Sequence, residues 1–133
     1  MDKIKVIHLV EDLQVGGLER IVAYIALGLN REKFDVEVWC IDRGGSIAEE
    51  LIERGIKVKY LGIHSCYGPV SIFRLYILLK KHRPSILHTH SYFVNTLGRL
   101  AATLAGIPIK IVHVHNVYQH YSKLNYLVER ILS

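Results

Sequence analysis

Two glycines and two pairs of histidines carry the chemical potential of this chain. Val15-Gly16-Gly17-Leu18-Glu19-Arg20 stands between a strand-like run and a helix-like one. Adjacent glycines at such a junction let backbone N–H groups approach an anion at the positive end of the helix, the arrangement that cradles phosphates. The same pair would also serve a tight turn that needs positive φ. Further along, His88-Thr89-His90-Ser91 and His113-Val114-His115-Asn116 each hold two histidines separated by one residue. In a strand that spacing puts both rings on one face.

Imidazoles at strand ends serve as acids, bases, hydrogen-bonding groups or metal ligands. His90 and His115, the outer members of the pairs, are the candidates for contact with a ligand. His88 and His113 are expected deeper, as supporting or core groups, and His8, inside the first strand, as core. Three imidazoles and a water would make a catalytic zinc sphere. No carboxylate or cysteine accompanies these histidines at ligand spacing, so the expectation is no metal and no bound cofactor. A nicotinamide cofactor is the nearest rival ligand, because Asp42 follows the second strand where an acid grips a ribose hydroxyl. The glycine turn lacks the G-x-G-x-x-G spacing, and Leu18 and Arg20 fill positions where that fingerprint wants small residues, which argues against it.

Alternating strands and helices must hold these groups. Ile4 to Val10 reads as a strand, Leu18 to Asn30 as a helix with apolar residues at helical spacing, and Val36 to Ile41 as the next strand. Ser46 to Arg54 reads as a helix with Ser46 as N-cap, Glu49 at the capping-box position and Gly55 as its stop. Ile56 to Leu61 alternates apolar and polar residues, as a strand near a sheet edge would. Val70 to Arg83 is then a helix halted by Pro84, Ser85 to Thr89 a strand, Asn95 to Ala105 a helix closed by Gly106, and Ile109 to Val114 a strand. A last helix begins near Ser122 and runs to Ser133 with no stop signal, which reads as a truncated chain. Strict alternation with short connections predicts an α/β fold: a Rossmann-like, three-layer α/β/α domain with a parallel sheet. With strand order 3-2-1-4-5, the ligand crevice falls between strands one and four, where the order reverses.

Composition narrows the partners. At 133 residues and 50% hydrophobic content the chain supports one core, so residues 1–133 form one domain. Its net charge of +5 favours anionic partners. Lys80-Lys81-His82-Arg83 reads as a helix carboxyl end, where cations oppose the macrodipole. No DNA- or RNA-binding module accompanies the charge, and no nucleic-acid partner is expected. Two cysteines, with Cys40 in an apolar strand, and no signal peptide point to the cytoplasm. The most apolar helical stretch, Val70 to Leu79, contains Arg74 and is too short to cross a bilayer. Its helix combines Phe73, Tyr76, Ile77 and Leu79 with a basic end, a composition that suits peripheral contact with an anionic membrane as well as a core helix with a solvated end.

Asp12-Leu13-Gln14-Val15-Gly16-Gly17-Leu18-Glu19-Arg20 resembles the opening signature of glycosyltransferase family 4 enzymes of GT-B architecture. His82 to His90, followed by Gly98-Arg99-Leu100-Ala101-Ala102 and Ala105-Gly106-Ile107-Pro108, is similar to the family's fourth-strand segment, and Val114-His115-Asn116 to its motif after strand five. Ser85, where the family often has an acid, and His113, where it often has a small or hydroxyl residue, depart from the pattern. The resemblance implies the amino-terminal, acceptor-side half of a retaining glycosyltransferase, with the donor-binding carboxyl half absent and this piece inactive by itself. It implies that the Gly16-Gly17 backbone meets the diphosphate of a nucleotide-sugar donor. His115 would act catalytically near the reacting sugar, and His90, Ser91, Tyr92 and Asn116 would line the side of a saccharide or lipid-linked acceptor. The other function class left open is a non-catalytic Rossmann-like binding or regulatory domain.

Overall fold

The computed structural model describes residues 2–63, 68–114 and 123–132. Five strands, β1 (Ile4–Val10), β2 (Phe34–Cys40), β3 (Lys57–Tyr60), β4 (Ile86–His90) and β5 (Ile109–His113), form one sheet in the order β3-β2-β1-β4-β5. Every pairing is parallel, with Val6 opposite both Val36 and Ile86 and with His90 opposite His113. Five helices alternate with them: α1 (Gly17–Gly28), α2 (Ser46–Glu53), α3 (Pro69–His82), α4 (Tyr92–Ala105) and α5 (Lys123–Leu132). The expected strand order and the edge position of the third strand are both found.

Period-two alternation along the strands divides the core between the two faces of the sheet. Ile7, Leu9, Trp39 and Leu87 join Leu75 and Leu79 of α3 and Val94, Leu97 and Ala101 of α4 in one cluster. Val10, Val36, Val38 and Cys40 join Val22, Ala23 and Ala26 of α1 and Ile47, Ala48 and Leu51 of α2 in the other. The result is three layers. α4 lies so close to the sheet that a Cβ on its Gly98 would strike Thr89 and crowd Leu9.

Two helix starts differ from expectation. Gly45, not Ser46, is the N-cap of α2, and no side chain caps it. A Cβ at Gly45 would collide with the Leu13 carbonyl and the Gln14 backbone, because this turn packs against the loop after β1. The Ile47 N–H donates to the Leu13 carbonyl at 3.2 Å, so a neighbouring loop satisfies this helix start in place of a serine hydroxyl. α4 begins at Tyr92, three residues before the expected Asn95, because Ser91 turns the chain directly off β4 and its carbonyl accepts the Asn95 N–H at 2.8 Å. The helix stops behave as expected: Gly55 and Gly106 take positive φ, and Arg83 ends α3 in the left-handed conformation just before Pro84.

Candidate active site at the strand ends

The loop from β1 delivers Gly16 and Gly17 to the carboxyl end of the sheet at the point where strand order reverses, beside the end of β4. Gly16 is the N-cap of α1, in extended conformation, and Gly17 is its first residue. Neither takes positive φ, so freedom of that kind is not what the pair supplies. Openness is. A Cβ at Gly17 would meet nothing within 4 Å, which leaves the helix's leading amides open to an approaching group. At Gly16 a Cβ would run into the carboxylate of Glu19, which folds back over the helix start. Arg20, on the same turn, is engaged by Glu50 of α2 at 2.7 Å, an ion pair that ties α1 to α2.

Opposite this loop, β4 ends in a crowded turn. Ser91 sits at φ 84° and ψ 155°, a region that residues other than glycine rarely occupy and that costs on the order of 1–3 kcal/mol. Its hydroxyl is buried and has no hydrogen-bond partner among the described residues. Tyr92 opens α4, half-buried, with its ring edge-on to Phe93. Behind them Asn95, fully buried, donates from Nδ2 to the His113 carbonyl at 3.3 Å and so fastens α4 to the end of β5. Its Oδ1 is buried without a partner among the described residues. Unsatisfied buried polar atoms are few in native proteins, and two of them at one strand end mark a place built for something other than packing.

The histidines converge, in an order that differs from expectation. His90 is fully buried, while His88 and His113 are half-buried, the reverse of the depth expected from their positions along the strands. β5 is the edge strand on this side, with exposed Ile109 and Ile111, and His113 on it is half-buried, while His90 lies against the rings of His8, His88 and His113. The ring centroids of His88 and His90 are 4.2 Å apart, and that of His113 lies 5.4 Å from His90. His8 joins them. It stands opposite His88 across the β1–β4 pairing, and its Nδ1 lies 3.3 Å from His90 Nε2. At 1% exposure His8 is core, as its place in β1 implies, yet it is also part of the cluster. Burial, reinforced by the nearby His88, pushes its pKa down to about 3, so the ring is neutral at ordinary pH.

His115 and Asn116, the remaining site candidates, lie outside the described residues. The described structure thus brings Ser91, Tyr92 and His90 together at the end of β4, with Gly16 and Gly17 on the adjacent loop. Asp42, the candidate ribose ligand of the dinucleotide alternative, has the Arg43 guanidinium 3.5 Å from its carboxylate. Asn95 and Gly45 escaped notice in the sequence. Asn95 stood at an expected helix start with no partner in view, and the need for Gly45 appears only once the two loops meet.

Comparison with known proteins agrees with this fold. Residues 15–133 match the profile of Glycosyltransferase Family 4. The UDP-Gal:alpha-D-GlcNAc-diphosphoundecaprenol alpha-1,3-galactosyltransferase of Escherichia coli is 30% identical over 118 residues, 85% of this chain and 30% of the relative. The capsular polysaccharide biosynthesis glycosyltransferase CapH of Staphylococcus aureus is 30% identical over 134 residues, 97% of this chain and 36% of the relative. Among solved structures, Anabaena HepE in complex with UDP and glucose superposes with a TM-score of 0.73 at 19% identity, covering 97% of this chain and 35% of that one. MurG of Acinetobacter baumannii gives 0.65 at 18% identity, covering 96% and 39%. The chain spans about a third of the length of the curated relatives it matches.

Proposed function

The chain belongs to glycosyltransferase family 4, and we propose that its protein transfers a sugar, with retention of anomeric configuration, from a nucleotide-sugar to a saccharide or lipid-linked acceptor in polysaccharide or glycolipid assembly. The observation that carries this reading is the α1 start at Gly16-Gly17, open at Gly17 and overlaid at Gly16 by the Glu19 side chain, set beside the β4 end at the reversal of strand order. In an open parallel sheet that is where ligands bind, and a helix start open at Gly17 suits a diphosphate once the Glu19 carboxylate swings aside. The relatives supply the chemistry: one is named for galactosyl transfer to a diphosphoundecaprenol-linked sugar, and HepE was crystallised with UDP and glucose.

In this reading the strand-end wall formed here faces a donor-binding half across a cleft. The Gly16 and Gly17 amides hold the donor diphosphate as negative charge grows on the departing phosphate. His115 stabilises the charge developing on the sugar by hydrogen bonding and electrostatics, and it is not a nucleophile. The leaving phosphate takes part in removing the acceptor proton, so no metal and no cofactor enter. Ser91, Tyr92 and Asn116 face the acceptor. His90, being buried, supports that wall from beneath.

The acceptor side also favours peripheral contact with the cytoplasmic face of a membrane. No described helix is long and apolar enough to cross one. α3 is two-sided: Leu75 and Leu79 are in the core, while Val70, Phe73 and Ile77 are exposed along one stripe, with Arg74, Lys80 and Lys81 also exposed. A cleft of about 430 Å³ lined by Pro69, Ile72, Phe73 and Tyr76 with Leu104 of α4 adjoins that stripe. Apolar burial combined with basic charge is the physics of interfacial helices.

His115→Ala in the full-length protein tests the assignment. Turnover is expected to fall about 100-fold, the scale of losing one transition-state hydrogen bond, with an unchanged unfolding temperature. Wild-type turnover in that variant would remove His115 from the mechanism.

A further inference from the structure

We propose that His8, His88 and His90 form a binding site for a late first-row divalent cation, zinc being the one expected. One nitrogen from each ring lies within 4.8 Å of the other two. The rings come from β1 and β4, neighbouring strands whose register sets His8 opposite His88, so the backbone beneath them is fixed on both sides. A zinc ion held tetrahedrally at about 2.0–2.1 Å puts its ligand nitrogens about 3.3 Å apart. His8 Nδ1 and His90 Nε2 are 3.3 Å apart. Completing the triangle then falls to His88, the partly exposed member.

His8 turns its Nδ1 toward His90. Its Nε2 is buried with no hydrogen-bond partner among the described residues. A proton on Nε2 leaves the Nδ1 lone pair as the one that would face an ion shared with His90. The donor set selects the class of ion, because imidazole nitrogens without a carboxylate suit zinc, cobalt, nickel or copper and not magnesium or calcium. His113, its ring centroid 5.7 Å from that of His88 and 5.4 Å from that of His90, brings a fourth imidazole beside the three. The inference rests on the cluster alone and gives the ion no part in sugar transfer, so its failure leaves the glycosyltransferase reading where it stands.

Titration of the chelator-stripped chain with Co²⁺ tests it, since tetrahedral cobalt absorbs visibly and reports its ligands directly. One equivalent is expected to bind with tetrahedral bands and to be displaced by one equivalent of Zn²⁺. His8→Phe fills the buried space with an apolar ring and is expected to weaken binding by at least about 100-fold, because even loss of a supporting partner costs ten- to a hundredfold. Far-ultraviolet circular dichroism checks that the variant folds. If it does not, His88→Gln at the partly exposed position asks the same question. Absence of a stoichiometric cobalt band in the wild-type chain, or a band that survives the substitution in the folded variant, would overturn the proposal.

Discussion

The fold holds His8 neutral by burying it in β1. In the folded chain its pKa is lowered to about 3, from an ordinary value of 6.5. As pH falls below 6.5 the unfolded chain takes up this proton and the folded chain does not. The stabilisation is therefore complete above about pH 6.5, declines between 6.5 and 3, and levels off below. In that window each pH unit removes at most about 1.4 kcal/mol through this one group. In metal-free buffer, the unfolding temperature of the wild-type chain should fall relative to that of His8→Phe as pH drops from 6.5 to 5. Parallel curves for the two would show that His8 does not carry the effect. The pairs His88–His90 and His113–His115 were legible in the sequence because period two is a property of any strand. The contact of His8 with His90 was not, because it depends on the register between β1 and β4, which no local pattern encodes.

Among the elements, α4 and α3 place the clearest demands on the sequence. Gly98 lets α4 settle against Thr89 and Leu9. Gly98→Val should cost about 1–3 kcal/mol by overpacking, seen as a lower unfolding temperature. An unchanged temperature would mean that α4 can lift from the sheet at no cost. For α3 the expectation concerns a surface: the full-length protein should bind anionic vesicles in a salt-sensitive way, and Phe73→Ser with Ile77→Ser should weaken that binding at least tenfold. No association with such vesicles would leave α3 as a core helix with a solvated end. Helix and strand existence followed from periodicity, and stops followed from Gly55, Arg83-Pro84 and Gly106. The starts of α2 and α4 did not, because Gly45 answers to a neighbouring loop and Ser91 to a strained turn. Both depend on contacts between segments distant in the chain or on a backbone conformation that serine does not advertise.

At the scale of the whole molecule, the sheet order and its reversal beside Gly16-Gly17 place an open helix start next to a strained, polar strand end. The chain spans about a third of the length of the curated relatives it matches. The fold was legible in full outline because strict strand–helix alternation admits few topologies. The site was legible only in part: the glycine turn and histidine motifs stood out, but the depth of His90, the role of Asn95 and the membership of His8 came from packing. The central claim is that the α1 start receives the donor diphosphate. Gly17→Val tests it with little structural disturbance, because the added Cβ begins in open space, with no atom within 4 Å apart from its chain neighbours and its own helix backbone. In the full-length protein, nucleotide-sugar binding should weaken at least tenfold, about 1.4 kcal/mol, with the unfolding temperature of the free enzyme unchanged. Donor affinity and transfer rate equal to those of the wild type would contradict the account.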